Sequence, residues 1–182
     1  MDANMPLMAA SQASFPWLSL IVLLPAMGAL LMPLLPGNET SNSQAPRNFA
    51  LAFLLVDFVL MLVVFSRMFD GQDGGLQLVE RVSWIPFIGL EWSLGADGLS
   101  APLVVLSGLI TLLAVAASWK VQSKTRLYFA LLLVQASAQG LVFLSQDFLL
   151  FFLAWELELV PVYLLIAIWG GSRRLYLSLI HI

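Results

Sequence analysis

Two glutamates lie two positions apart in the stretch FFLAWELELVPVYLLIAIWGG, residues 151–171, which is otherwise apolar enough to enter lipid. An acidic side chain near the bilayer midplane costs about 2.5 to 3.5 kcal/mol on insertion scales, so it needs a partner or a function. A buried carboxylate beside a cation that can move is able to load and release a proton. Glu156 is therefore our first candidate for a proton relay. The alternative is a structural hydrogen bond to a neighbouring helix.

Two further acids lie deep in apolar segments. At about 100° per residue, Glu158 falls on nearly the opposite helix face from Glu156, so the two cannot share a proton as a dyad. If both avoid lipid, this helix has protein on two sides, which favours a large helical assembly. For Glu158 a relay role and a structural hydrogen bond to a neighbouring helix explain the residue about equally well, and it could equally pair at a subunit interface. Asp57, in LLVDFVLM, ranks third, because a structural hydrogen bond explains it as well as a relay does.

The composition defines the class of protein. The 182 residues are 60% hydrophobic and 10% charged, whereas soluble domains carry about 25% charge. The chain is therefore an integral membrane protein. It has no cysteine, so it cannot by itself build a thiolate iron–sulfur or zinc site. Its formal net charge of -3 is small, and no block of like charges predicts a nucleic-acid partner.

Apolar stretches of about 20 residues are long enough to cross the hydrocarbon core as helices, and five of them predict an all-α polytopic membrane protein. Residues 70–98 are too polar to span, and their alternation predicts short strands or a hairpin at the interface, with Trp84 and Trp92 as aromatic anchors. The chain thus divides into an N-terminal segment (1–15), spans one and two (16–69), an extramembrane segment (70–98) and spans three to five (99–176). The stretches are 16–36, 49–69, 99–119, 127–145 and 148–169.

Basic residues near the helix ends predict the orientation of the chain, since cytoplasmic loops are enriched in Lys and Arg. The third-to-fourth connection is basic, and Arg173 and Arg174 follow the fifth span, so both regions are expected on the cytoplasmic or stromal side. The N-terminus and segment 70–98 then lie on the opposite, lumenal side. Arg47 agrees with this orientation, whereas Arg67 and Arg81 oppose it. The basic residues of the third-to-fourth connection are Lys120, Lys124 and Arg126.

The fourth span carries two polar residues and two small ones at helical spacing. Gln135 and Gln139 share one face, and Ala136 with Gly140 forms a small-xxx-small pair. Close helix packing is our preferred interpretation, and a polar lining for water is the alternative.

A helix start is predicted just before the third span. In GADGLSAPL, Ser100 and Pro102 fit a capped helix N-terminus, and Asp97 adds a negative charge there. We interpret Asp97 as a structural capping residue.

Two long motifs carry a family resemblance. SWIPFIGLEWSLGADGLSAPLVVLSGLIT, followed by QDFLLFFLAWELELVPVYLLIAIWGGSRRLY, resembles the N-terminal third of chain 4 of the type-I NAD(P)H dehydrogenase complex of cyanobacteria and chloroplasts. The resemblance covers the chain through Tyr176. It implies an antiporter-like fold that has about fourteen helices in two inverted repeats when complete.

The resemblance also implies a function. Members are subunits of the membrane arm of a complex I-like NAD(P)H-quinone oxidoreductase, related to multi-subunit cation/proton antiporters. Their fifth-helix glutamate matches Glu156 and faces a lysine of the seventh helix, which is absent here, and Glu158 matches the plant and cyanobacterial pattern. The complex passes electrons from NAD(P)H or ferredoxin through iron–sulfur clusters to plastoquinone on other subunits, while this subunit conducts protons and binds no cofactor. The expected partners are other membrane-arm subunits and the lipid bilayer, and the expected location is the thylakoid membrane.

Two other functions remain open from the residues. A subunit of a multi-subunit sodium/proton antiporter would share the fold and the glutamate but lack redox coupling. A non-catalytic membrane scaffold would need neither.

The last six residues, LSLIHI, depart from the family where its sixth helix is expected. The codons CTG TCT CTT ATA CAC ATC encode this hexapeptide and resemble the start of a transposase-type sequencing adapter. We interpret residues 177–182, including His181, as translated adapter sequence, and we expect the natural protein to continue.

Overall fold

Membrane-length helices make up most of the chain. The computed structural model describes residues 15–35 and 44–171, and within these ranges five helices are long and apolar enough to cross a membrane. The expected all-α polytopic architecture with five spans is therefore confirmed. The helices are α1 (Trp17–Leu31), α2 (Ala45–Arg67), α3 (Ser100–Ala117), α4 (Thr125–Leu144) and α5 (Phe148–Trp169).

Prolines and short turns shift some helix ends from the expected positions. A 3₁₀ turn, Met32–Leu34, follows α1 and contains Pro33, which has no N–H to continue an α-helical ladder. Helix α2 begins four residues before the expected position 49, because Pro46 occupies its first turn, where a missing N–H has no cost. Position 36, the expected end of the first span, lies outside the described residues, as do Arg173, Arg174 and residues 177–182.

The segment between α2 and α3 forms a β-hairpin, as its alternation predicts. Strand β1 (Gln77–Ile85) pairs antiparallel with β2 (Leu90–Ala96). Gly89 closes the turn with φ 72°, in the left-handed region that glycine adopts without a steric penalty. The rings of Trp84 and Trp92 meet edge to face with their centroids 6.0 Å apart. Whether these rings lie at a membrane interface stays a prediction.

Helix α4 is the centre of the bundle and packs against the other four helices of the described chain. Helix α1 is packed closely at Gly28, where an added Cβ would come within 2.9 Å of the Phe53 ring of α2 and 3.3 Å of Leu133 of α4. Ser137 also donates a 2.7 Å hydrogen bond to the carbonyl oxygen of Val22. The expected small-residue contact at Gly140 is looser, since a Cβ there would meet nothing nearer than 3.7 Å.

The hairpin is fastened to the N-terminus of α1 by a carboxylate. Oε1 of Glu80 accepts a 2.7 Å hydrogen bond from the backbone N–H of Leu18, and Oε2 accepts from the N–H and hydroxyl of Ser19 at 2.9 and 2.5 Å. The indole N–H of Trp92 donates to the same Ser19 hydroxyl at 2.8 Å. Glu80 thus caps a helix that has no capping side chain of its own, in a position where the helix dipole favours an anion.

The hairpin also contacts the turn between α4 and α5. The N–H of Gln146 donates to the carbonyl oxygen of Ser93 at 2.8 Å, and Leu94 forms an isolated antiparallel bridge with Ser145. The start of α1, the hairpin and the α4–α5 turn therefore gather at one end of the bundle. The basic connection between α3 and α4 lies at the other end.

Candidate functional site

The buried face of α5 brings Glu158 to α4. Leu150, Ala154 and Pro161 are buried on this helix, and Glu158 falls on the same stripe, four residues after Ala154 and three before Pro161. Its Oε1 accepts a 2.9 Å hydrogen bond from Nε2 of Gln135. Glu158 therefore lies at a helix–helix interface within this chain, held by the amide of α4.

Gln135 leaves one polar atom unsatisfied at this interface. Its Oε1 is buried and has no hydrogen-bond partner among the described residues. A buried acceptor without a donor costs about 1 to 3 kcal/mol, so the position suits a water molecule or another donor. The Gln135–Glu158 pair is thus a polar spot in an otherwise apolar interface, and the polar lining for water that the sequence left as an alternative stays a prediction.

Glu156 lies on the other side of α5. Its side chain is exposed, and no hydrogen bond or ion pair reaches it from the part of the chain that the structure describes. The same face presents Phe152 and Val160, four residues to either side, which are 49% and 53% exposed. A carboxylate at mid-span would be costly in lipid. The protein that the sequence argument requires on this side of α5 must therefore come from outside residues 15–35 and 44–171.

Asp57 lies on the fully packed face of α2. It is 1% exposed, and its Oδ1 has no partner within the described ranges. Met61 of α2 contacts Gly108 of α3. The two helices are antiparallel, so Asp57, one turn before Met61, lies at the level of the buried Thr111, about one turn after Gly108. The site residues expected from the sequence are thus dispersed: Glu156 faces outward, Glu158 faces α4, and Asp57 is enclosed near α3.

Comparisons with known proteins decide the family. The family model described as NADH-ubiquinone oxidoreductase chain 4, amino terminus, matches residues 75–138. NAD(P)H-quinone oxidoreductase chain 4 1 of Synechococcus sp. (strain JA-2-3B'a(2-13)) is 56% identical over 162 residues, which cover 89% of this chain and 30% of the relative. Chain 4 2 of Microcystis aeruginosa is 51% identical over 164 residues, which cover 90% of this chain and 29% of the relative. The chain belongs to the NAD(P)H-quinone oxidoreductase chain 4 family.

Solved structures agree on the fold of this chain 4 sequence. It is similar to a chain of respiratory complex I from Thermus thermophilus with bound NADH, with a TM-score of 0.69, 27% identity, and coverage of 88% of this chain and 31% of that chain. A chain of the membrane-bound sulfane sulfur reductase, an archaeal respiratory membrane complex, matches with a TM-score of 0.66 and 18% identity, covering 87% of this chain and 24% of that one. The second likeness supports the fold alone.

The chain spans about 30% of the length of the chain 4 relatives described above. The remaining part of the relatives is long enough to contain further helices, and such helices would cover the face of α5 that carries Glu156. The family-model match ends at residue 138, so it includes Gln135 but stops before α5. The roles of Glu156, Glu158 and Asp57 in this chain 4 sequence stay predictions.

Asp97 caps α3 as the sequence predicts. Its Oδ1 accepts from the backbone N–H groups of Ser100 and Leu99 at 2.7 and 3.0 Å. The hydrogen bond from the Ser100 backbone has the largest effect and lowers the pKa of Asp97; burial comes next and raises it, and the hydrogen bonds with the Ser100 side chain and the Leu99 backbone lower it further, so that the pKa is lowered overall. This charged cap fixes the start of the helix that follows the hairpin.

Two residues with structural importance were missed from the sequence. Glu80 looked like one polar position among others in an alternating strand, and only the folded hairpin brings it to α1. Arg47 was used as an orientation signal, yet it is 8% exposed and its guanidinium carbon lies 3.4 Å from the centroid of the Trp119 ring. Its position in the first turn of α2 gave no hint of burial.

Proposed function

We propose that this chain is part of a proton-translocating membrane-arm subunit of an NAD(P)H- or ferredoxin-dependent plastoquinone oxidoreductase. The observation that carries the proposal is α5 itself. This helix holds two carboxylates at mid-span, one bonded to α4 and one on an uncovered face, in a chain of the chain 4 family. Such acids are costly in lipid and mark ion pathways.

Glu156 is the proposed proton-carrying group. In the full-length protein further helices cover its face of α5, and the resemblance puts a lysine of the seventh helix there. When that cation approaches, the Glu156 carboxyl releases its proton; when the cation withdraws, the carboxylate takes up another. The transfer changes only one O–H bond at Glu156, so no redox step is assigned to this chain.

Glu158 and Gln135 have a supporting part in this proposal. The amide of Gln135 holds the Glu158 carboxylate, and its Oε1, which has no partner within the described chain, is the acceptor that we assign to a water molecule in this interface. This arrangement gives a proton a polar route beside α5. Asp57 has no such connection within the described chain, and we place it last among the relay candidates.

The proposed setting follows from the family. The chain is an integral, multi-pass membrane protein, and its cyanobacterial relatives are named as quinone oxidoreductase subunits. The proposed partners are the other membrane-arm subunits, and the proposed location is the thylakoid membrane. Electron transfer takes place on other subunits.

Proton pumping in membrane vesicles tests the proposal. In the assembled complex, E156Q in the full-length protein should lower the number of protons moved per plastoquinone reduced, because glutamine cannot load a proton. A pH-sensitive dye reports the protons, and plastoquinone reduction is recorded in parallel. E91Q is the matched control, since Glu91 is exposed on the hairpin, and we expect it to pump normally.

Two outcomes would count against the proposal. If E156Q moves as many protons per plastoquinone reduced as the unmodified protein, Glu156 has a structural role and is not the proton-carrying group. Proton movement that needs sodium and continues without plastoquinone reduction would assign the protein to the sodium/proton antiporters instead.

A further inference from the structure

A small polar cavity opens at the end of the bundle opposite the hairpin. Its volume is about 210 Å³, and it lies where α2 begins, α3 ends and α4 begins. Pockets that hold drug-sized ligands measure about 300 to 1,000 Å³, so this one suits a smaller polar group. The lining includes Gln44, Arg47, Trp119, Gln122 and Thr125.

Among the described residues that line the cavity, Arg47 alone carries a formal charge. The side chain is buried, with 8% exposure, and stacks on Trp119. Its single hydrogen bond within the described chain is a long one, 3.4 Å from Nη2 to Oδ1 of Asn48. No carboxylate of the described residues pairs with it, although a guanidinium has five N–H donors. A buried, unpaired charge is strongly unfavourable, so this site is incomplete without an anion.

The surroundings of the cavity also favour a negative charge. Gln44 precedes α2 and Thr125 opens α4, so the N-termini of two long helices meet at the cavity. Helix N-termini attract anions through free N–H groups and the helix dipole. The connection beside the cavity adds further positive charge from Lys120, Lys124 and Arg126.

The cavity is placed for a lipid rather than for a substrate of the membrane interior. It lies at the ends of membrane-length helices, beside the half-exposed indole of Trp119, and tryptophan is enriched at the membrane surface. By the distribution of Lys and Arg this end faces the cytoplasm or stroma, and basic pockets between helices on that side bind anionic lipid headgroups.

We propose that this cavity binds the phosphate of an anionic phospholipid headgroup. The guanidinium of Arg47 pairs with two of the phosphate oxygens, Thr125 and Gln122 donate to the remaining oxygens, and the acyl chains lie along the lipid-facing surface of the bundle. The proposal is independent of the proton-relay role of Glu156.

Lipid binding by the full-length protein tests this site. The protein is purified in mild detergent, stripped of lipid, and titrated with dioctanoyl phosphatidylglycerol, dioctanoyl phosphatidylcholine and inorganic phosphate, with bound molecules counted by native mass spectrometry. We expect phosphatidylglycerol to bind most tightly, and R47Q to weaken its binding at least tenfold. R67Q is the matched control, because Arg67 is an exposed residue at the other end of the same helix, and it should bind as the unmodified protein does.

A second variant tests the site without removing Arg47, in case R47Q does not fold. T125V removes one hydroxyl donor at the cavity and leaves the guanidinium in place, so it should weaken phosphatidylglycerol binding several-fold without affecting phosphatidylcholine. Thermal unfolding of the lipid-free variants shows whether each one is folded.

Two results would overturn the proposal. Equal binding of phosphatidylglycerol by R47Q and the unmodified protein would show that Arg47 is not the site. Inorganic phosphate bound as tightly as phosphatidylglycerol would assign the cavity to a soluble oxyanion.

Discussion

Glu156 and Glu158 show how two acids on one helix can have different surroundings. A separation of two residues turns the side chains about 200° apart, so Glu158 reaches Gln135 on α4 while Glu156 faces away from the described bundle. The angle was available from the sequence. The identity of the partner was not, because Gln135 lies 23 positions upstream and its contact with Glu158 depends on how α4 and α5 pack.

At the residue scale, Asp97 should make the stability of the protein depend on pH. Its pKa is lowered in the folded chain by hydrogen bonds from Ser100 and Leu99. The stabilisation is therefore complete above the pKa of an unfolded aspartate, about 3.9, and is lost as the pH falls through the lower folded value. We expect D97A to lower the free energy of unfolding by about 1 kcal/mol at pH 7, with the difference shrinking at acidic pH.

Unfolding in detergent, measured at several pH values between 7 and 3, checks this expectation. D97N is the control, since its amide oxygen still accepts a hydrogen bond but does not titrate in this range. A constant difference between the unmodified protein and D97A over the whole range would contradict a charge-dependent cap.

The helices differ in how closely they approach one another. Gly28 on α1 meets Phe53 and Leu133, and an added methyl group there would overlap the Phe53 ring. Gly140 on α4 has ordinary van der Waals space for the same group. The small-xxx-small pattern in α4 therefore identified a helix interface but not how closely the helices approach there.

At the element scale, alanine substitutions should separate these two glycines. G28A should lower the free energy of unfolding by about 1 to 3 kcal/mol, because overpacking forces neighbouring side chains or helices to shift. G140A should change it by less than about 0.5 kcal/mol. Denaturation in mixed detergent micelles, followed by circular dichroism, measures both. A larger loss in G140A than in G28A would contradict the close packing of α1 against Phe53 of α2 and Leu133 of α4.

The hairpin was predictable from the sequence, but its contact with α1 was not. Its alternating sequence was sufficient to predict the strands, because the side-chain period of a strand is two residues. Its attachment to α1 was not predictable, since Glu80 and Leu18 are separated by 62 positions. The carboxylate supplies the N-terminal cap that α1 lacks, and so the hairpin and the bundle stabilise each other.

The whole molecule has two chemically distinct ends. One end holds the hairpin, the start of α1 and the α4–α5 turn, which hydrogen bonds connect. The other end holds the buried Arg47, its cavity and the basic connection that contains Lys120 and Lys124. The predicted orientation therefore places the end with Arg47 on the cytoplasmic or stromal side and the end with the hairpin on the opposite side.

At the scale of the whole molecule, labelling from one side of the membrane tests the orientation. The chain has no cysteine, so S83C on the hairpin and S123C on the α3–α4 connection each introduce a single thiol at an exposed position. A membrane-impermeant maleimide should label S123C only from the cytoplasmic or stromal side and S83C only from the opposite side. Labelling of both from the same side would contradict the five-span arrangement.

The sequence by itself determined the class of protein, the five spans, the hairpin, the cap at Asp97 and the three acids that lie within apolar spans, Glu156, Glu158 and Asp57. These features depend on local composition and on short periods of hydrophobicity, which the chain carries before it folds. Only the tertiary structure decided that Gln135 bonds to Glu158, that Glu80 caps α1, that α1 is closely packed at Gly28, and that Arg47 is buried beside a cavity. Each of these depends on the packing of segments that are distant in sequence, and that packing is settled by the fit of whole helix surfaces rather than by any local pattern.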